Sequence, residues 1–293
     1  MRVAPTSTRP LLRPPQHASL VSQVSRPALP LAQGVLPLDA LRPAEVRQVE
    51  SGAWFAGLSL GLRQAILARA RVQRVRRGAT LLRRGSVATD WVGVAGGALG
   101  LATRGRDGKP FTLDLLGPGD WYGDVALIDG SAVDLDIVAQ AHSTVLLVDR
   151  SALQQLVQQQ PELRAALLML DCKRLRHMFR RLEEVQTLAL SQRVALQLQR
   201  LVRQFGQPMV VDTPGHTGRH TSSHGEPQQI ELTLTQGDLA SLLCASRQRI
   251  NGTLRQLQGL GILGASHGRI EVLQPQRLTD VALGRLVLDT GSD

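Results

Sequence analysis

The sequence predicts an α+β protein of two domains: a β-rich half, a long helix, and a C-terminal unit of short helices closed by a hairpin. Three observations carry this. Between Val72 and Val148, short apolar runs such as Trp91-Val94, Leu99-Ala102 and Val145-Val148 alternate with glycines at 78, 85, 96–97, 105, 108, 117, 119 and 123. Many short strands with glycine turns are the mark of a sandwich or barrel. From Ser151 to Glu184 there is no glycine, and apolar residues recur at heptad spacing. From Thr235 to Gln258 the period becomes that of two short helices separated by a tight turn.

Composition narrows the class. With 293 residues and 43% hydrophobic content the chain can bury two cores, and its longest apolar runs are far too short to span a membrane. No membrane partner is expected. The formal charge of +10 favours a polyanionic partner, and arginine supplies nearly all the cations, Lys109 and Lys173 being the two lysines. Cys172 and Cys244 stand too far apart in sequence to suggest a disulfide framework or an iron–sulfur cluster, which fits a reducing cytoplasm.

Residues 1–50 are rich in Pro, Arg, Ser and Gln, with no acid before Asp39, and read as a disordered basic arm. Such a composition also suits a transit peptide, but the amphipathic pattern is missing. Residues 51–150 form the β domain, entered through a helical lead-in on which Leu58, Leu62, Ile66 and Ala70 are spaced at helical intervals. Residues 151–189 form the long helix, with Pro161 able to open a new helix at its first turn. Leu168, Leu175 and Leu182 make one seam position, and Met178 and Val185 the other, interrupted by Asp171. That seam predicts a symmetric homodimer; the alternative is a helix packed only on its own β domain. The last unit spans 190–293, with Ser191 expected to cap a helix from Gln192 to Gln204. Residues 207–229 read as a flexible polar loop. His216, His220 and His224 lie there at spacings of four, but Gly218 and Gly225 argue against the helix a metal site would need, so none is expected.

In the C-terminal unit, Thr235 with Asp238 makes a capping box, Leu239, Leu242 and Leu243 an apolar face, and Ser246 a ready N-cap for a second helix. Ile250, Leu254 and Leu257 bury one stripe of that helix and leave Arg247, Gln248, Arg249, Asn251 and Arg255 outside it. Arginine bonds guanine bidentately, and glutamine and asparagine do the same with adenine, so these residues suit a reader of the DNA major groove. After Gly261, two short strands flank Ser266-His267-Gly268 as a wing. Thr235, Ser246 and His267 join the candidate contacts to double-stranded DNA.

The Gly-x-Gly-Asp-x-x-Gly-Asp run at 117–124, the long helix after it and SRQRIN at 246–251 make the chain similar to the Crp/Fnr family of bacterial transcription regulators, from about Trp54 to Leu273. The resemblance implies a jelly-roll sensor domain that holds an effector, a long dimerisation helix and a winged helix-turn-helix on a palindromic promoter site. It also implies RNA polymerase as a partner. An enzyme would need a catalytic constellation, and none survives placement on these elements. The alternative function is a sensor or adaptor acting through protein partners, which would lack salt-dependent DNA affinity.

The chain departs from the family at the effector site. Cyclic-nucleotide-binding members carry Gly-Glu and then Arg-Ser; here Gly123-Asp124 and Asp134-Leu135 align with those pairs. Two carboxylates, Asp124 and Asp134, would converge on any phosphate, with Arg104 or Arg106 as rescuing cations, so cyclic AMP is not expected and the effector stays unassigned. No cysteine precedes Cys172 to serve as a redox cluster, and His142 is the one histidine in the β region available to a haem. In the recognition helix, Gly252 stands where the family commonly carries a second arginine.

Overall fold

The computed structural model describes residues 36–105, 110–208, 230–232, 235–266 and 269–288. The described chain starts with Leu36, whose backbone exchanges two hydrogen bonds with Val72 at 2.8 and 2.9 Å. One 3-10 turn, Leu38–Ala40, leads to α1, Pro43–Ser51. The expectation of a disordered arm through residue 50 is therefore wrong from Leu36 onward. What anchors α1 is polar and distant: the buried Glu45 carboxylate accepts from Arg42 N–H at 2.8 Å, Thr144 Oγ1 at 2.7 Å and Arg74 Nη1 at 3.2 Å. Burial pushes that carboxyl up, but these donors and the Arg74 charge outweigh it and hold it below its ordinary value. No local period signals such a contact. A second short helix, α2 (Leu60–Leu67), is capped by Ser59 through Leu62 N–H at 3.3 Å.

The β domain then runs as β1 (Ala70–Val75), β2 (Thr80–Leu82), β3 (Asp90–Gly96), β4 (Leu99–Arg104), β5 (Pro110–Leu116), β6 (Trp121–Tyr122), the short α3 (Asp124–Asp129), β7 (Asp136–Ala139) and β8 (Ser143–Asp149). Its strands form two four-stranded antiparallel sheets, ordered β1-β8-β3-β6 and β2-β7-β4-β5. That order interleaves early and late strands, as a jelly roll does. Ile137, Leu99 and Leu146 are fully buried between and around them. Trp54, Phe55, Trp91 and Trp121 stack into one aromatic cluster, with 4.3 Å between the Trp91 and Trp121 ring centres. Trp54 Nε1 donates to Ala166 O at 3.0 Å and so ties the cluster to the long helix. The Gly-rich turn at 117–120 is equally constrained. Gly119 holds φ +87°, and a Cβ on facing Gly52 would lie 2.5 Å from its carbonyl oxygen, so α1 closes on this turn backbone to backbone.

Two helices follow, α4 (Arg150–Gln159) and α5 (Pro161–Thr187), the latter opened by proline at its first position as expected. At 27 residues α5 is about 40 Å long. Leu163 and Leu167 are buried against the β domain, but Leu168, Leu175, Leu182 and Val185 are 54–66% exposed and Met178 40%. Phe179, which the heptad reading omitted, joins the same uncovered surface, and Met169 is exposed on another side of the helix. So many large apolar side chains on one helix mark a surface built to be covered.

The chain breaks at Leu188, and α6 (Leu190–Phe205) begins the C-terminal unit. Ser191 is not its cap: Ala189 is the N-cap residue, and the Gln192 side chain accepts its N–H at 3.1 Å. Next come β9 (Gln207–Pro208), β10 (Ile230–Leu232), α7 (Gln236–Leu243), α8 (Arg247–Gly259), β11 (Leu263–Ser266), β12 (Arg269–Val272) and α9 (Pro275–Ala282). The polar stretch assigned to a loop from 207 thus opens with two residues of strand, and its histidines lie outside the described residues. β11, β12, β10 and β9 form one small antiparallel sheet. A separate core gathers Leu198, Leu239, Ile250, Leu257, Val272 and Val281 from five elements of this unit.

Candidate nucleic-acid interface

Local chemistry builds the two helices as the sequence implies. Thr235 Oγ1 accepts Asp238 N–H at 3.1 Å, while the Asp238 carboxylate accepts Thr235 N–H at 2.9 Å and its hydroxyl at 2.8 Å. The turn is made by Cys244, the one non-glycine residue at positive φ (+50°) among those described, which lets Ala245 N–H reach Ala240 O at 3.2 Å. Ser246 Oγ then accepts Arg249 N–H at 3.3 Å and starts α8.

Ile250, Thr253, Leu254 and Leu257 are buried, so at about 100° per residue the opposite face of α8 is led by Gln248, Gly252 and Arg255. Arg247, Gln248, Arg249 and Arg255 are all exposed, and Asn251 sits half-buried at the edge of that face. Gln256 is exposed there as well, an outward position the sequence reading passed over. A Cβ added at Gly252 would meet nothing within 4 Å. The result is a helix whose first turns hold donors in a fixed array with no acidic residue from Ser246 to Gln258, which is what a groove lined with acceptors and phosphates requires. β11 and β12 pair behind it with Leu263 opposite Val272. His267, the expected contact at the wing tip, lies outside the described residues.

The helix-turn-helix is held on the sensor domain by specific polar contacts. Arg181 of α5 donates to Gln197 Oε1 at 2.6 Å and to Leu242 O at 3.1 Å. Gln204 Nε2 donates to Leu115 O at 3.1 Å and Asp120 Oδ2 at 2.9 Å, and the hydroxyls of Thr112 and Ser241 meet at 3.0 Å. Arg200 and Glu184 pair between α6 and α5. His177 Nε2 approaches Asp114 at 3.5 Å; burial lowers its tendency to protonate, Asp114 opposes that, and Arg200, Arg181 and Arg180 add to it.

At the effector position Gly123 adopts φ +100° before α3, Asp124 is fully buried and Asp134 exposed. Burial raises the Tyr122 phenol, and the charges of Asp124 and Asp134 both add to that. Arg174, from α5, reaches Asp124: its Nη1 lies 3.0 and 2.9 Å from the two carboxylate oxygens and 2.7 Å from Asp171, and its Nη2 donates to Trp121 O. The guanidinium also sits 5.2 Å from the centre of the Tyr122 ring. Burial raises the Asp124 carboxyl above its usual range and Arg174 pulls it back. The cation on Asp124 is thus a residue fifty positions downstream, which no cassette spacing could point to, and Arg106 lies outside the described residues. Leu135 is partly buried against the sensor core, and His142 is exposed.

Known proteins agree with this architecture. Residues 72–160 match a cyclic nucleotide-binding domain and residues 192–281 a Crp-like helix-turn-helix domain. The chain is 24% identical over 185 residues to the CRP-like cAMP-activated global transcriptional regulator of Mycobacterium tuberculosis, covering 63% of this chain and 76% of that one. It is 26% identical over 191 residues to the cyclic AMP receptor protein of Thermus thermophilus, covering 65% and 78%. The structure of FixK2 from Bradyrhizobium japonicum shares the fold with a TM-score of 0.59 at 22% identity, over 72% of this chain and 96% of that one.

Proposed function

The chain belongs to the Crp/Fnr family of DNA-binding transcription regulators, and we propose that it works as a cytoplasmic homodimer, joined along α5, that reads a palindromic promoter site through two copies of α8. The observation that carries this is the exposed polar surface of α8, with Gln248 and Arg255 on its outer face and Arg247 in its first turn, on a helix capped at that turn and braced from behind. Two such helices related by a two-fold axis address half-sites about one helical turn, roughly 34 Å, apart. Bound at a promoter, the dimer would act through RNA polymerase. Selection of duplexes from a random pool tests the reading. A palindrome with that half-site spacing, bound with an affinity that falls steeply with salt, supports it; recovery of no preferred sequence contradicts it.

Cyclic AMP is not the effector under this proposal, although relatives are named for activation by it. The cassette lacks the arginine that would neutralise a cyclic phosphate. Asp124 and Asp171 share the single cation Arg174, so this cluster carries net charge −1 toward an incoming anion. Calorimetric titration with cyclic AMP decides: no heat at micromolar ligand is expected, and micromolar binding that also raises promoter affinity would overturn it.

A further inference from the structure

The outer face of α8 has a gap in its middle. Gln248, Gly252 and Arg255 fall within about 60° of one another around the helix, and a Cβ at Gly252 would meet nothing within 4 Å. Side chains on a helix lean towards its N-terminus, so exposed Arg255 and Gln256 reach back beside Gly252, while exposed Gln248, one turn earlier, leans away from it. Between them lies a recess floored by bare backbone. That floor offers no hydrogen bond, because inside a helix the amide and the carbonyl are already spent on the fourth residue to either side. A base edge that presented a donor or an acceptor there would lose water and find no partner.

Of the four bases, thymine alone shows an apolar group on its major-groove edge, the 5-methyl. Gly252 follows Gln248 by four residues, about 6 Å along the helix axis and so about two base-pair steps. We propose that Gly252 is a specificity-determining residue: the recess over it receives the 5-methyl group of one thymine in each half-site, within about two base pairs of the base that Gln248 addresses. The proposal rests on the DNA-binding reading above. A larger side chain at 252 would hold α8 off the bases, and a polar one would present hydrogen-bonding groups that a methyl group leaves unpaired. Glycine weakens the helix that carries it, and close contact with the base offsets that loss.

The test replaces each thymine of the selected palindrome in turn by deoxyuridine, in both half-sites together, which deletes the 5-methyl group and nothing else. The parent and Gly252→Ala are titrated with each duplex at matched salt. At one thymine the parent should bind the deoxyuridine duplex about tenfold more weakly, since a buried methyl group is worth about fourfold and the dimer holds two. Gly252→Ala should bind the thymine duplex more weakly than the parent does. The same replacement should cost the variant less than about twofold, because its own methyl already fills the recess. The variant should melt no lower than the parent, as alanine in a helix requires, so the comparison is made on folded protein. The proposal is overturned if no replacement weakens the parent by as much as about twofold. It is overturned equally if parent and variant lose the same factor at that thymine, which would put the methyl group against another residue. Failure of the underlying reading looks different, because then the parent selects no palindrome at all.

Discussion

Removal of the Arg174 guanidinium should leave a buried carboxylate without its counter-ion. Asp124 is completely buried, and Arg174 supplies its only ionic partner among the described residues, with a side chain 26% exposed. Breaking a buried pair from one side leaves an uncompensated charge and costs about 3–5 kcal/mol; since Arg174 retains some solvent, about 3 kcal/mol is the better expectation for Arg174→Leu. For a chain of this size that is a fall of roughly 6–12 °C in melting temperature. The pH dependence fixes the mechanism. Burial already raises the folded-state Asp124 pKa, and loss of Arg174 takes away the main influence that lowers it, so the pKa climbs further. Between the ordinary aspartate value and that raised value the folded state binds more protons than the unfolded one, so stability falls as pH rises through the window. The deficit of Arg174→Leu should therefore be larger at pH 8 than at pH 5, and Asp124→Asn in the same chain should recover most of it. Melting followed by circular dichroism measures all of this. A deficit that is independent of pH, or additive in the double variant, would refute the buried-pair account.

Gly252→Ala should raise stability by up to about 1 kcal/mol, because glycine inside a helix is unfavourable and the new methyl meets nothing. Specific DNA affinity should fall, since the methyl stands on the groove-facing side of α8; parent-like affinity would show that this point stays clear of the duplex. Thr235→Ala removes the acceptor for Asp238 N–H and should cost about 1 kcal/mol by thermal melting, and an unchanged melting curve would mean the cap is redundant. Leu175→Glu/Leu182→Glu places charges on side chains already more than half exposed, so the protomer should stay folded while light scattering reports a monomer. A dimer that survives both charges would move the interface off α5.

What the sequence revealed was what is decided within a few residues. The cap pairs Thr235 with Asp238 and Ser246 with the Arg249 amide lie three residues apart, and the buried stripe of α8 repeats at helical spacing, so both could be read from order alone. α1 could not, because it is anchored through the polar Glu45 to Thr144, ninety-nine positions away, and the segment carries too few apolar residues to show a period. The effector position failed for the same reason. Alignment of cassette positions finds Asp124, but only the path of α5 past β6 brings Arg174 to it.

Base reading by α8 is the centre of this account, and Arg247→Ala tests it most directly, with binding measured by fluorescence anisotropy on the selected palindrome and on a random duplex at matched salt. The account predicts a loss of about 1–3 kcal/mol per half-site on the palindrome, relaxed preference at one base pair, and a much smaller change on random DNA. Equal weakening on both duplexes would contradict it, because Arg247 would then be touching phosphate alone.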